Sequence, residues 1–281
     1  MIDAHVHFWR PARGDDILIL RREARLRRDY LPDDLAPLLA TAGVSRAVVI
    51  QSAPSIDETR FQLALTRDLP WIAGVVGWVD LEHPDAGRDL DELQRDARFR
   101  GVRVMLHRLD DPAWIERPAA LAGLRSLASR GLSLDLIARE PHLEACRRAL
   151  GAVPGLRAVV DHGGGPPIAE RRWEPWADAI ARLARDTGAL CKFSGLLEES
   201  QPGDGEAALL RYAGHLAASF GPARLVFASN WPVCDLVGGY ARWLDIARNL
   251  ARRLALPPAA LFEANARRLY GLEPPPAAAA R

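Results

Sequence analysis

Cysteine is scarce and poorly placed for covalent or metal chemistry. Cys146, Cys191 and Cys234 are odd in number, far apart and without a C-x-x-C pair, so neither a disulfide framework nor a cysteine zinc site is implied. Reduced, cytoplasmic thiols fit. An excess of one charge is also missing: 37 Lys and Arg face 36 Asp and Glu, a formal +1, which offers no broad attraction to DNA, RNA or an anionic membrane. The one basic cluster, Arg21 to Arg28 (RREARLRR), reads as a solvated face that closes over a pocket rather than a nucleic-acid patch. No eighteen uncharged apolar residues run together, and the start lacks a basic segment leading into an apolar run and a small-residue cleavage site. A cytoplasmic protein with no membrane and no nucleic-acid partner is expected. No Pro/Gly/Ser linker splits the chain, so residues 1–273 are expected to form a single domain, with 274–281 (PPPAAAAR) as a frayed tail.

What is present is an ordinary globular composition, 49% hydrophobic and 26% charged, able to bury a sizeable core. Short β-rich runs recur at Ile2–Val6, Ala47–Gln51, Trp71–Val79, Gly101–Leu106, Leu132–Ala138, Arg157–Asp161, Ala189–Phe193 and Leu225–Ala228. Between them, helical spacing marks Leu31–Ala42, Glu58–Thr66, Pro112–Arg130, Pro141–Leu150, Trp173–Asp186, Glu206–Phe220 and Tyr240–Leu254, with a weaker, more charged segment near Ala86–Ala97. Strands alternating with helices call for parallel pairing and right-handed crossovers, and eight such units match an α/β fold of the closed (β/α)₈ TIM-barrel type. The competing architecture, an open doubly wound sheet, lacks its G-x-G-x-x-G turn after the first strand. The non-periodic stretch Phe8 to Tyr30 is expected over the C-terminal mouth, where loops shape substrate access.

Chemistry gathers at predicted strand ends. In Ile2-Asp3-Ala4-His5-Val6-His7 the period of two puts Asp3, His5 and His7 on one face, with Ile2, Ala4 and Val6 packing under the helices on the other. Paired imidazoles ligate a divalent ion or hydrogen-bond to neighbours inside a core; H-x-H alone does not decide. The sixth run, AVVDHGGGPP, adds Asp161 and His162 followed by glycines that permit close backbone approach, unless that pair serves only the turn. The eighth, LVFASNWPV, places Ser229, Asn230 and Trp231 where strand gives way to loop.

These residues lie in longer stretches: DAHVHFW, RDYLPDDLAPLLATAGV, VVIQSAPS, ETRF, VVGWVDL, GVRVML, CKFSGL, and FASNWPVC followed by YARW. Together they resemble, almost end to end, the amidohydrolase superfamily (amidohydrolase-related family 2), in its branch of sugar-lactone hydrolases such as L-fuconolactonase and L-rhamnonolactonase. The resemblance implies a (β/α)₈ barrel that hydrolyses a cyclic ester, a small-molecule aldonolactone. It implies catalytic roles for His5 and His7 as metal or substrate-polarising residues, for His162 as the strand-six histidine and for Asn230 at the strand-eight position. Gln51, Trp78 and Arg103 fall in stretches similar to the family's substrate pocket. Trp9, Trp78 and Trp231 follow strand ends and offer rings for stacking on a sugar, although ordinary packing is the commoner fate of such residues.

Three departures qualify the match. The strand-eight position is commonly Asp, which takes a proton from water, whereas Asn230 is neutral and cannot act as that base, leaving it to orient water or to lend its amide oxygen to a metal. Strand five ends in Ala138-Arg139 without a histidine, and strand four offers Arg103 in place of a metal-bridging Lys or Glu, so a binuclear centre is not expected. One divalent ion, zinc by its preference for imidazole, held by His5, His7 and His162, stands beside metal-independent catalysis as an equal alternative. The family's strand-six loop usually reads His-Leu-Gly-Lys-Pro; here His162-Gly163-Gly164-Gly165-Pro166 lacks the lysine, and Arg139 or Arg108 is the substitute to look for. Without a metal, the base must come from a histidine or from Asp3, Asp80, Asp161 or Asp235. His83, His107, His142 and His215 have no spacing that favours catalysis. Two rival readings are a different reaction on the same barrel, either hydrolysis of an aromatic or dicarboxylate lactone or a decarboxylation, and a non-catalytic ligand-binding protein that lost its base at Asn230.

Overall fold

The computed structural model describes residues 1–272; the expected tail at 274–281 lies outside them. Strand β1 (Ile2–Val6) opens the chain and is followed by a long loop carrying the short helix α1 (Leu18–Arg22). Helix and strand then alternate: α2 (Pro32–Ala42), β2 (Arg46–Ile50), α3 (Ile56–Leu65), β3 (Ile72–Gly77), α4 (Ala86–Leu93), β4 (Phe99–Met105), α5 (Pro118–Ser129) and β5 (Ser133–Ile137). The second half continues through α6 (Glu140–Gly151), β6 (Arg157–Val160), α7 (Trp176–Asp186), β7 (Leu190–Phe193), α8 (Glu206–Phe220), β8 (Leu225–Phe227), α9 (Gly239–Arg253) and α10 (Asn265–Tyr270). The strands pair in sequence order, all parallel, and a parallel bridge between Val6 and Trp231 brings the last strand's end back against the first. This ring is the (β/α)₈ barrel that the alternation predicts. No helix among the described residues is long and apolar enough to cross a membrane.

Local chemistry sets the helix starts. Pro32 occupies the first turn of α2, where its missing N–H costs nothing, and Asp34 accepts from the Leu31 N–H at 2.8 Å. At α3, Ser55 Oγ accepts from the Glu58 N–H at 3.1 Å. Strand residues then divide by parity: Val49, Val75, Val102, Leu134, Val160 and Phe227 pack outward under the helices. Val48, Ile50, Val76, Val159, Val226 and Ala228 form a second cluster with Ala266, Leu269 and Tyr270 of α10. Helix α10 thus covers one end of the barrel interior, the end at which the strands begin.

β1 breaks the expected alternation. Its register shifts between Asp3 and Val6, a one-residue irregularity that turns the strand over part-way along. Ile2 and Ala4 join the inner cluster, whereas Val6 packs outward. Asp3 does not share a face with the histidines: its Oδ1 accepts from the backbone N–H groups of His5 at 3.2 Å and Ser229 at 2.9 Å, on the side of Tyr240 from α9. Asp3 ties the ends of β1 and β8 together, and the bulge frees both imidazoles to face inward.

Above the inner apolar cluster lies a buried ionic layer. The Lys192 ammonium of β7 donates to Asp135 Oδ2 of β5 and to His5 Nδ1 at 2.9 Å, and stands 2.9 Å from Asp161 Oδ1 at the end of β6. The Tyr270 hydroxyl donates to the same Asp135 oxygen at 2.8 Å, tying α10 to this layer. Removing one partner from a buried ion pair leaves uncompensated charge. Lys192→Met is therefore expected to lose about 3–5 kcal/mol in urea unfolding at pH 7; an unchanged midpoint would show that the two aspartates do not need the ammonium. Packing between strands gives a second test. A Cβ at Gly101 would overlap the Ser133 hydroxyl and carbonyl on β5, so Gly101→Ala is expected to cost about 1–3 kcal/mol in the same experiment.

Candidate active site

A cavity of 610 Å³ opens at the C-terminal ends of the strands. His7, Arg103, Asp161, His162, Glu198 and Asn230 all border it, and Ile17 to Ile19, Arg22 and Glu23 of the loop after β1 form part of its rim, as expected of that loop. The rings of His5 and His7 lie 4.7 Å apart between centroids, and those of His5 and His162 4.6 Å apart. His162 and Asn230 both take left-handed backbone, at φ 52° and 60°, a conformation non-glycine residues rarely hold unless their surroundings impose it. The arginine cluster is used within the chain: Arg27 donates to the Leu20 carbonyl at 2.6 Å, Arg28 to that of Asp29 at 3.0 Å, and Arg21 pairs with Asp16.

The hydrogen bonds fix which imidazole nitrogens carry protons. An ammonium only donates, so Lys192 makes His5 Nδ1 an acceptor and leaves the proton on His5 Nε2. That Nε2–H donates to His7 Nε2 at 2.9 Å, and His7 Nδ1–H donates to the Ile50 carbonyl at 2.8 Å. Both ends of the chain agree, because a carbonyl only accepts. Burial, reinforced by Lys192 beside His5 and by Arg103 beside His7, holds both rings well below the usual histidine range, and burial brings His162 down to about 4. All three are neutral at pH 7. Burial would raise Asp161, but the Lys192 ammonium beside it holds its carboxyl well below the usual range.

This donor set suits a divalent ion. His5, Asp161 and His162 offer ligand atoms that all lie within 4.8 Å of one another, and His7 Nε2 faces His5 Nε2. Neither Asp161 oxygen makes a directed hydrogen bond; its partners are ion pairs, to Lys192 at 2.9 Å and Arg103 at 3.8 Å. Neutral imidazoles and an under-satisfied carboxylate match zinc chemistry.

The structure brings His5, His7, His162, Asn230 and Arg103 to one place. Asn230 N–H donates to the His5 carbonyl at 3.0 Å, and Arg103 reaches the Gln51 carbonyl and lies 3.5 Å from His5 Nε2. Three expected substrate contacts do not border the cavity. Gln51 contributes its backbone carbonyl, while its side-chain amide is buried without a partner, because Ser52 rather than Gln51 takes the cavity-facing position. Trp78 has its backbone pinned to α3 by the Thr59 hydroxyl, with its N–H donating at 2.8 Å. Trp231 is 1% exposed, packed edge-on against Phe8 and Tyr30. Trp9 alone of the three stacking candidates borders the cavity, its indole N–H donating to the Arg28 carbonyl at 3.0 Å. Among the carboxylates, Asp80 and Asp235 are exposed and off the wall.

Several site residues escaped sequence reasoning. His107 and His142 border the cavity, and burial takes His107 down to about 4. Ser194 Oγ pairs with His162 Nδ1 at 2.8 Å. Arg139 fills the space over Gly165, where a Cβ would meet its Cγ at 3.2 Å, and pairs through both nitrogens with Glu199 at 2.8 and 3.1 Å. A cation thus stands beside the strand-six loop that lacks its lysine; Arg108 instead pairs with Asp16. Glu198, which accepts from Asn230 Nδ2 at 3.0 Å, is pushed up to about 7 by burial. The available signals were the polar parity of Lys192 in β7 with Ser194 just past its end, and two successive glutamates a little further on.

Comparison with known proteins places the chain among the amidohydrolases. The chain is 37% identical over 279 residues to an L-fucono-1,5-lactonase of Burkholderia ambifaria, covering 98% of this chain and 96% of that one. It is 33% identical to an L-fucono-1,5-lactonase of Burkholderia multivorans, covering 98% and 97%. A crystal structure of an amidohydrolase from Burkholderia multivorans with bound zinc superimposes with a TM-score of 0.91 at 32% identity, over 97% of this chain and 99% of that chain. The amidohydrolase family profile matches residues 2–272, and the chain belongs to that family.

Proposed function

We propose that the protein hydrolyses a sugar-derived lactone of the L-fucono-1,5-lactone type by attack of water on the cyclic ester. The observation that carries this reading is the convergence of His7, His162, Arg103 and Asn230 on one cavity, with the His5 ring packed behind both imidazoles, in a chain 37% identical to an L-fucono-1,5-lactonase. Its 610 Å³ suits a small molecule. The three described cysteines, all free and buried, suit a reducing cytoplasm.

Lactone opening needs an acyl oxygen stabilised as it gains charge, a water deprotonated, and a proton for the departing alkoxide. Arg103 and His162 border the cavity as donors for the developing oxyanion. Lys192 holds His5 in one tautomer and orientation. His5, His7, His162 and Asp161 are the residues that would hold a zinc ion, which when bound polarises the ester and acidifies water.

The test is a panel of aldonolactones, with L-fucono-1,5-lactone included, assayed against pyrone and benzoate-type acids. Ring opening of an aldonolactone is expected, with His162→Ala lowering kcat/KM by about 10²–10⁴-fold. Carbon dioxide release from a benzoate-type acid with no lactone opened would overturn the reading. Metal analysis followed by chelation and zinc return then separates the two routes. Activity that falls and recovers assigns polarisation to the ion; activity that persists assigns it to the histidines and Arg103.

A further inference from the structure

We propose that Glu198, held in place by Asn230, is the general base that deprotonates the attacking water; this rests on the lactonase reading above. Asn230 occupies the strand-eight position and has no proton-accepting carboxylate. Its amide instead donates to Glu198 Oε1 at 3.0 Å, joining the end of β8 to the loop after β7. The other oxygen, Oε2, is buried and has no hydrogen-bond partner. A buried carboxylate oxygen without a partner is rare and costly unless something from outside the chain meets it. Glu198 borders the same cavity as His162, Arg103 and Asn230, so a bound substrate or its water is the group at hand.

The other acids at or near the mouth are already committed. Asp161 lies between Lys192 and Arg103, and Glu199 is paired through both oxygens with Arg139. Glu23, on the rim, pairs with Arg25, while Asp3 is turned toward α9. Glu58, also raised to about 7 by burial, accepts from Ser52 N–H and the Gln62 amide and is not on the cavity wall. The groups facing Glu198 are the Asn230 amide, the neighbouring Glu199 and the Cys234 thiol, none of them a cation. A carboxyl held up to about 7 is suited to taking and returning a proton at neutral pH.

In the step, the water oxygen bonds to the acyl carbon as one of its protons passes to Glu198 Oε2, and the carbonyl π pair moves onto oxygen. That pair re-forms the carbonyl as the ring C–O bond breaks, and the proton on Glu198 passes to the departing alkoxide. The product is the open hydroxy acid, which ionises in water, and Glu198 is again a carboxylate.

Glu198→Gln keeps the size of the side chain and an acceptor for Asn230. It is expected to lower kcat on the lactone by about 10²–10⁴-fold with KM changed only a few-fold, and to abolish the acid limb of the wild-type pH profile. The double variant E198Q/N230D returns a carboxylate to the same hydrogen-bonded pair and is expected to recover about tenfold or more of the lost kcat. Wild-type kcat with the acid limb intact in E198Q overturns the base and leaves the lactonase reading standing. A folded double variant without recovery also overturns it. Wild-type protein that opens no lactone on the panel overturns both.

Discussion

One buried ammonium organises the interior of this barrel. Lys192 sits where water does not reach and meets two carboxylates and an imidazole, each on a different strand. Without it, Asp135 and Asp161 would repel in a medium that screens poorly, and His5 would be free to exchange tautomers. With it, proton positions propagate along a single line of hydrogen bonds from β7 through both strand-one histidines to the Ile50 carbonyl. The terminal helix joins the same network through Tyr270, so the last element of the described chain and the catalytic mouth share one ionic layer.

This arrangement sorts the acids of the site by environment. Asp161 is held ionised by the cation beside it and serves as a fixed negative charge, while Glu198, away from any cation and buried, holds a proton far more readily. Two carboxyl groups of one cavity are thereby given opposite tendencies, the condition under which one fold stabilises charge with one group and moves protons with another. The neutral amide of Asn230 belongs to this division. It satisfies one Glu198 oxygen without placing a second negative charge beside it.

Much of this was legible in the sequence. Eight β-rich runs alternating with helical spacing are repeated signals, and errors at single boundaries do not change the ring they imply. His5, His7, His162 and Asn230 come together in the structure because strand ends in a barrel converge, whatever their separation along the chain. The failures have local causes. Period-two reasoning put Asp3 beside the histidines, and a bulge, which leaves no mark in composition, turned it to the far side. Gln51, Trp78 and Trp231 stand at strand ends but direct backbone or packing surfaces, rather than polar side-chain atoms, toward the site. Glu198 belongs to a loop, where side-chain direction follows no period. Lys192 looked like one polar residue in a short apolar strand until its three partners came together.

In the proposed reaction the scissile ester lies between the histidines, Arg103 and Glu198. The most direct measurement is a crystal structure of the protein with the ring-opened acid of its lactone bound. The product carboxylate is expected within hydrogen-bond reach of Arg103 and His162, with Glu198 on the side from which water enters. A product bound elsewhere in the cavity, with its carboxylate out of reach of all three, would contradict it.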